Sequence, residues 1–290
     1  MPNGTIFTFD VKNAPHSEIY SFTTKNWTSA GSTIVDLHSP SPFGCLNYGP
    51  NGSLCYFPPG EVGPAILRPD GTVFATGSTP ANSNFAHTAI YTPGIGGGIG
   101  TWAVGPDFPQ GDEAGDSFAA LLPSGNVLVE GISGRLYEFD GNVLHSGPFG
   151  FGSLFVLPTG EIIVGGSQLY TSTGTYEPQW APVIGRFPGN VNRGATYKIS
   201  GRQFNGLSQA AAFGDEFETA TNYPLVRITN ISTGHVFYAK THDHSTMGVA
   251  TGNQAVFTNF DVPPSAETGA STLVVVANGI PSAPVNITVH

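Results

Sequence analysis

The chain has 290 residues, of which 39% are hydrophobic and only 10% are charged, and it contains 39 glycines and 24 prolines. This composition excludes an intrinsically disordered chain and favours a turn-rich all-β protein. A net charge of −10 argues against nucleic acid or an anionic membrane surface as a partner. No apolar run has the length of a membrane span.

One stretch of sequence occurs four times before residue 181. Two short apolar runs flank a Pro-x-Gly turn that ends at Gly71, Gly125 or Gly160, and a fourth copy at Gly4 lacks its first run. Proline presets φ and glycine accepts a positive φ, so this tetrad suits a tight turn. Each complete copy therefore predicts a hairpin of two buried strands.

Two further apolar segments follow each hairpin. The first of them lies at residues 18–20, 89–91, 135–137 and 168–170 and ends in tyrosine each time. The second is marked by a large apolar side chain, namely Trp27, Trp102, Val143 or Trp180. Four short strands in each repeat are typical of the blades of a β-propeller.

The first repeat leads into a long connection at residues 30–58, which we interpret as a functional loop. It contains Cys45 and Cys55, whose spacing is compatible with a small disulfide-closed loop. The alternative is a pair of free thiols in a reducing compartment. Low lysine content and five Asn-x-Ser/Thr sequons favour the disulfide and a secreted, extracellular protein. The sequons are at Asn3, Asn26, Asn51, Asn230 and Asn286.

The chain begins directly in strand-like sequence, and its first repeat lacks a leading strand. We expect either that a longer protein precedes Met1 or that the missing strand is supplied from elsewhere. A second copy of the chain, in a homo-oligomer that completes the propeller, is one such source. Unpaired sheet edges favour that kind of association.

The pattern changes after Trp180. Six β-prone segments separated by turn signals predict an immunoglobulin-like sandwich. They occupy residues 194–206, 225–229, 235–240, 255–257, 271–277 and 285–289. The predicted fold is all-β, with a partial kelch-like propeller of about four blades over residues 1–182 and an immunoglobulin-like domain over residues 183–290.

The densest set of potential metal ligands is His242-Asp243-His244. Alternate residues of a strand share a face, so both imidazoles are predicted to reach one metal ion while Asp243 points away. The alternative is a polar turn whose side chains bond to the local backbone. Two imidazoles do not complete a site, so further ligands would have to come from the propeller.

Acidic residues stand just before two of the predicted inner strands, where propeller loops converge at the mouth of the central channel. Carboxylates there suit a cation or sugar hydroxyls, and the alternative is a solvated acidic loop. Paired carboxylates also suggest glycoside hydrolysis. These residues are Glu61, Asp112, Glu113 and Asp116.

Aromatic residues are predicted near the same rim. Tyr48 and Tyr56 in the cysteine loop, together with Phe108, Phe149 and Phe151, have the flat faces that stack on sugar rings. Packing between blades is the alternative for the phenylalanines, and exposure is expected for the two tyrosines.

A Pro-x-Gly propeller that runs directly into an immunoglobulin-like domain resembles the galactose oxidase and glyoxal oxidase superfamily. The resemblance implies a seven-bladed propeller, of which this chain carries the last four blades and the C-terminal domain. It also implies a copper ion on the propeller axis. The ligands would be a Tyr-His pair before the last inner hairpin, a histidine from a Thr-His loop of the C-terminal domain, and a tyrosine cross-linked to cysteine.

Thr241-His242 is similar to that Thr-His loop, but the Tyr-His positions hold Gly150 and Phe151, which cannot bind copper. The first hypothesis is therefore a secreted binding module for a carbohydrate or a cell-surface ligand, without the full copper-radical site. The second is a metal-dependent oxidase or hydrolase that uses copper or another divalent metal at His242 and His244.

Overall fold

The computed structural model describes residues 1–2, 4–9, 16–40, 46–48, 50–56, 60–95, 98–209, 211–214, 217–219 and 222–290. The protein is all-β, as predicted, with 45% of its residues in strands and 4% in short helical turns. None of the helical segments in these ranges has the length and apolar character needed to cross a bilayer.

The repeats before residue 181 form four antiparallel sheets in which consecutive strands are neighbours. A separate two-stranded hairpin lies between the first and second sheets. The first sheet comprises β1 (Ile6–Phe9), β2 (His16–Ser21) and β3 (Asn26–Ser32), and the separate hairpin comprises β4 (Leu46–Tyr48) and β5 (Leu54–Tyr56). The second sheet comprises β6 (Val62–Leu67), β7 (Val73–Gly77), β8 (Thr88–Thr92) and β9 (Thr101–Val104). The third contains β10 (Phe118–Leu121), β11 (Val127–Glu130), β12 (Arg135–Phe139) and β13 (Leu144–Phe149), and the fourth contains β14 (Leu154–Val156), β15 (Ile162–Val164) and β16 (Gln168–Tyr170).

The predicted Pro-x-Gly turns have the same geometry in all four copies. The glycine has a positive φ of 76°, 86°, 84° or 91° at Gly4, Gly71, Gly125 and Gly160. Its N–H donates to the carbonyl three residues earlier at 2.9 Å in each case. A residue with a side chain would be strained in this conformation, so glycine fixes the register of the hairpin.

Two local features differ from the prediction. Trp180 lies in a single helical turn, Pro178–Trp180, and not in a fourth strand of the last sheet. The long connection at residues 30–58 contains the hairpin of β4 and β5, with Asn51 at a φ of 59° in its turn. Asparagine tolerates this left-handed conformation, which explains how the chain reverses there.

Apolar side chains fill the space between successive sheets. The rings of Phe7 and Tyr91 stack at 4.8 Å between the first and second sheets, and those of Phe74 and Phe139 stack at 3.9 Å between the second and third. Another buried cluster joins the third and fourth sheets. Since burying one large apolar side chain stabilises a fold by roughly 1.5–3 kcal/mol, these faces hold the sheets together in chain order.

The residues after Trp180 form a nine-stranded sheet that curls into a half-barrel around its own apolar core. Five of its strands coincide with predicted segments, namely β19 (Thr196–Arg202), β22 (Leu225–Asn230), β23 (Val236–His242), β25 (Gly269–Ala277) and β27 (Val285–Val289). The sixth predicted segment begins β24 (Val256–Asp261). The sequence did not predict the short strands β17 (Val183–Arg186), β18 (Asn190–Val191) and β26 (Ile280–Pro281).

One hairpin from this second part leaves the curled sheet and joins the third sheet of the first part. It consists of β20 (Ala211–Phe213) and β21 (Phe217–Thr219), and β20 pairs antiparallel with β10. The leading strands β6, β10 and β14 lie beside one another, and β20 contacts all three. The two parts of the chain therefore share a hydrogen-bonded sheet.

Candidate functional site

The three repeats with a complete hairpin each have two ends, which the strand connectivity distinguishes. The Pro-x-Gly turns join β6 to β7, β10 to β11 and β14 to β15 at one end. The connections from β7 to β8, β11 to β12 and β15 to β16 must then lie at the opposite end, because the strands are antiparallel. We call the opposite end the loop end, and it also contains the segments that enter β6, β10 and β14.

Two of the predicted acidic residues, Glu61 and Asp116, are exposed at the loop end. A Cβ atom added at Gly115 would lie 3.9 Å from Cβ of Glu61, so Glu61 packs beside the residue that precedes Asp116. The backbone N–H of Glu61 donates to Oγ of Ser39, which holds its segment in place. The structure therefore places the segment that enters β6 against the segment that enters β10, next to Asp116.

Asp112 is buried and serves the fold instead of a ligand. Its carboxylate accepts hydrogen bonds from the hydroxyl of Tyr137 at 2.8 Å and from both Oγ and the backbone N–H of Ser133. Burial, and then the hydrogen bond to Asp112, raise the pKa of Tyr137, so its hydroxyl keeps its proton. The carboxylate of Asp112 is therefore not accessible to a ligand, contrary to the prediction that Asp112 is a ligand-binding residue.

Glu113 is also tied to the protein. Its Oε2 accepts a hydrogen bond of 2.6 Å from the backbone N–H of Thr79, and its carbonyl accepts one from Ile132. These bonds connect the loop before β10 to the second sheet on one side and to the turn between β11 and β12 on the other. Glu113 thus holds the loop before β10 in place.

The aromatic residues of the predicted rim divide into buried and exposed side chains. Phe108 is buried and packs edge-on against Tyr137, with ring centroids 5.4 Å apart. Phe149 and Phe151 are 60% and 74% exposed at the loop end. Phe151 lies over the turn between β11 and β12, where a Cβ at Gly134 would come within 3.2 Å of its ring.

Arg135 is a member of this surface that the sequence did not reveal. Its guanidinium carbon lies 4.1 Å from the ring centroid of Phe149, and its Nη1 donates to the carbonyl of Gly147 at 2.9 Å. Arg135 begins a predicted strand, and the sequence pattern indicates only its place in that strand. We call the set of Glu61, Asp116, Arg135, Phe149 and Phe151 the loop-end platform.

Cys45 lies outside the described residues, and so do the side chains of Cys55, Tyr48 and Tyr56. The backbone of β5 pairs Cys55 with Asn47. The predicted disulfide and the stacking role of the two tyrosines stay predictions.

His242 is hydrogen-bonded to two carboxylates of the second part of the chain. It is the last residue of β23, where it pairs with Asn259. Its Nδ1 lies 2.9 Å from Oδ2 of Asp243 and its Nε2 lies 3.1 Å from Oδ1 of Asp261. These two hydrogen bonds raise the pKa of His242, the bond to Asp243 contributing most.

The prediction that Asp243 points away from His242 is wrong. Strand alternation stops at Asp243, which has a left-handed φ of 51°, so its carboxylate folds back onto the imidazole. His244 then turns toward Oγ1 of Thr258, which lies 2.9 Å from its Nδ1. Consequently each imidazole has its own set of partners.

These residues do not fit the copper ion that the family resemblance implies. A Cβ at Gly150 would already lie 2.8 Å from Val164 and 2.9 Å from Gln168, so a tyrosine has no room there. Both nitrogens of His242 are held by carboxylates. Among the described residues no group of three or more His, Cys, Asp or Glu side chains is placed to hold a metal ion.

Comparison with models of known protein families gives no match, and comparison with curated proteins gives none either. The candidate site therefore rests on its own geometry. Exposed aromatic rings, a guanidinium and two carboxylates lie at the same end of the repeats, and such groups suit a hydroxylated ligand, because rings stack on apolar faces while charged groups bond to hydroxyls.

Proposed function

We propose that the protein is a secreted carbohydrate-binding protein with the architecture of the galactose oxidase and glyoxal oxidase superfamily and without a working copper-radical centre. The repeats would be blades of a partial kelch-like propeller, and the curled sheet would be an immunoglobulin-like domain. Face-to-face packing of successive three- and four-stranded meanders supports the propeller, as does the contact of the leading strand β10 with the leading strands β6 and β14.

The observation that carries the proposed function is the exposure of Phe149 and Phe151 on the loop-end platform. Large aromatic side chains are normally buried, and neighbouring exposed ones mark a binding surface. Here Arg135 covers one ring, and the Gly134 turn supports the other. The rings are therefore held in fixed positions by contacts within the protein.

The chemistry of the platform favours a carbohydrate over other ligands. Sugar rings offer apolar C–H faces to the phenylalanines and hydroxyl donors to Glu61 and Asp116. A strongly anionic ligand would be repelled by these carboxylates and by the net charge of −10. We therefore expect a neutral glycan.

A glycan array probed with three proteins tests this proposal. Wild-type protein and Phe22→Ala are expected to bind the same glycans, since Phe22 is 62% exposed in the turn between β2 and β3, away from the loop end. Phe151→Ala is expected to lose those signals. The absence of any wild-type signal, or equal signals from all three proteins, would contradict the proposed function.

A further inference from the structure

A cleft separates the last hairpin of the repeats from the curled sheet, at the opposite end from the loop-end platform. It has a volume of about 150 Å³. One wall comes from residues 155–158 in β14 and its Pro-x-Gly turn, and the other walls come from residues 222–225 and 276–279. We call it the hairpin cleft. Clefts between parts of a chain are common places for small ligands.

Among the described residues, those that line the hairpin cleft include no charged side chain. Its two most exposed large side chains are aromatic, Phe155 at 47% and Tyr223 at 39% exposure. The other lining residues are aliphatic apart from Asn222 and Asn278, whose buried amides are bonded within the protein. A neutral ligand with both apolar faces and polar edges matches this surface.

The walls of the cleft are held rigidly. The backbone N–H of Asn278 donates to Oδ1 of Asn222 at 2.9 Å, and Oδ1 of Asn278 accepts from the backbone N–H of Leu207. Gly279 touches Gly160 so closely that a Cβ at Gly279 would lie 2.6 Å from its Cα. A preformed cleft avoids part of the ordering cost of binding.

His244 lies next to Tyr223, just outside the residues that line the cleft. The two ring centroids are 5.6 Å apart. The hydroxyl of Thr258 lies within hydrogen-bond distance of the carbonyls of His242 and Asn259 as well as of Nδ1 of His244. A hydroxyl that donates its single proton to one of these carbonyls can accept from Nδ1–H of His244.

This tautomer leaves the lone pair of Nε2 of His244 open to a hydrogen-bond donor. Burial lowers the pKa of His244, with the neighbouring charge of His242 adding to the effect, which keeps the ring neutral. Thr241 holds the segment of Tyr223 against β23. Its Oγ1 donates to the carbonyl of Pro224, the residue after Tyr223, at 2.7 Å.

We propose that the hairpin cleft is a second carbohydrate subsite, which takes one neutral pyranose ring between Phe155 and Tyr223 and bonds one ring hydroxyl to Nε2 of His244. The ligand class rests on the proposed function, but the place and the residues are different. The subsite holds a single sugar unit because the cleft has the volume of about one ring.

Saturation-transfer NMR and calorimetric titration with the methyl glycosides of glucose, galactose, mannose and N-acetylglucosamine test the subsite in the full chain. Tyr223→Ala is expected to weaken binding by about tenfold or more, and Tyr223→Phe by less than about threefold, because the ring carries the stacking contact. His244→Gln is expected to weaken binding by roughly threefold to tenfold, the effect of one hydrogen bond. His145→Gln, which changes an imidazole that is 59% exposed and does not line the cleft, is the matched control.

The outcomes separate this subsite from the loop-end platform. Binding that survives Phe151→Ala and is lost in Tyr223→Ala supports the hairpin cleft. Binding that survives Tyr223→Ala, in protein with an unchanged melting temperature, overturns the subsite whether or not Phe151 matters. If Tyr223→Ala does not fold, Phe155→Gln gives the same comparison at an exposed position. No binding of any of the four glycosides to wild-type protein also overturns it.

Discussion

Phe118 of the third sheet and Phe213 of the hairpin β20–β21 lie opposite each other across an antiparallel strand pair, with ring centroids 4.6 Å apart. This pair joins the repeats to the second part of the chain. The N–H of Gly214 continues the contact by donating to the carbonyl of Ser117 at 2.9 Å. The two parts are therefore expected to unfold as one cooperative unit.

A double-mutant cycle tests this coupling. We expect Phe213→Ala to lower the free energy of unfolding by about 1–2 kcal/mol, because it removes a half-buried ring from an aromatic pair. The coupling energy with Phe118→Ala is expected to be about 0.5–1.5 kcal/mol. Urea denaturation followed by fluorescence and circular dichroism measures both quantities. Two separate transitions in wild-type protein, or a coupling energy of zero, would contradict this account.

Asp112 and Asp116 form a matched pair of substitutions in one loop. Asp112→Ala leaves the buried hydroxyl of Tyr137 without its acceptor and is expected to lower the free energy of unfolding by about 2–4 kcal/mol. Asp116→Ala removes an exposed carboxylate and is expected to change it by less than about 0.5 kcal/mol. Denaturant titration of the two variants measures the difference. Equal stabilities would show that Asp112 has no structural role.

Alanine substitutions at Gly279 and Gly234 distinguish the cost of a steric contact from the cost of backbone strain. Both have a positive φ, of 69° and 73°, so alanine at either position costs about 1–2 kcal/mol in strain. Only at Gly279 does the new Cβ meet another backbone, that of Gly160, whereas Gly234 has open space around it. We expect Gly279→Ala to lose about 1–3 kcal/mol more than Gly234→Ala. A difference near zero would argue against docking of the last hairpin on the curled sheet.

The bonds of His242 predict a dependence of stability on pH. The pKa of His242 is raised, so its contribution is fully present below the ordinary histidine pKa of about 6.5 and is lost as pH rises through the folded value. The pKa values of Asp243 and Asp261 are lowered, mainly by hydrogen bonds from His242 and Thr196 respectively. Their contribution is present above about pH 4 and is lost as pH falls through the folded values.

The stability difference between wild-type protein and His242→Gln is therefore expected to be largest between about pH 4 and pH 6.5. Denaturation of both proteins across this range, with His290→Gln as a control, measures it. His290 contacts Asn190 and has no carboxylate partner in the part of the chain that the structure covers. A difference that stays flat with pH, or that grows above pH 7, would be inconsistent with the pairing of His242 with Asp261.

The hairpins could be predicted from sequence because their signal is local. Proline and glycine within four residues fix each turn, and the flanking apolar runs supply the strands, as the structure confirms at Gly71, Gly125 and Gly160. The strand β20 could not be predicted, since Ala211–Phe213 is short and its partner β10 is distant in the chain. Pairing of that kind depends on the tertiary fold.

The site was predictable only in its general position. Acidic loops before inner strands predicted that a site lies at the loop end. The sequence does not show that Asp112 is buried while Asp116 is exposed. The pattern His-x-His suggested one shared face, and a single left-handed residue, Asp243, separates the two imidazoles. Arg135 could be assigned to the site only from its contact with Phe149 across neighbouring strands, which the structure shows.

We propose that the loop-end platform binds a neutral glycan through its exposed rings. The most direct test is a calorimetric titration of the glycan that gives the strongest array signal into wild-type protein, Phe151→Ala and Phe22→Ala. We expect the dissociation constant to rise by about tenfold or more in Phe151→Ala and to change by less than about twofold in Phe22→Ala. An unchanged dissociation constant in correctly folded Phe151→Ala would contradict the claim.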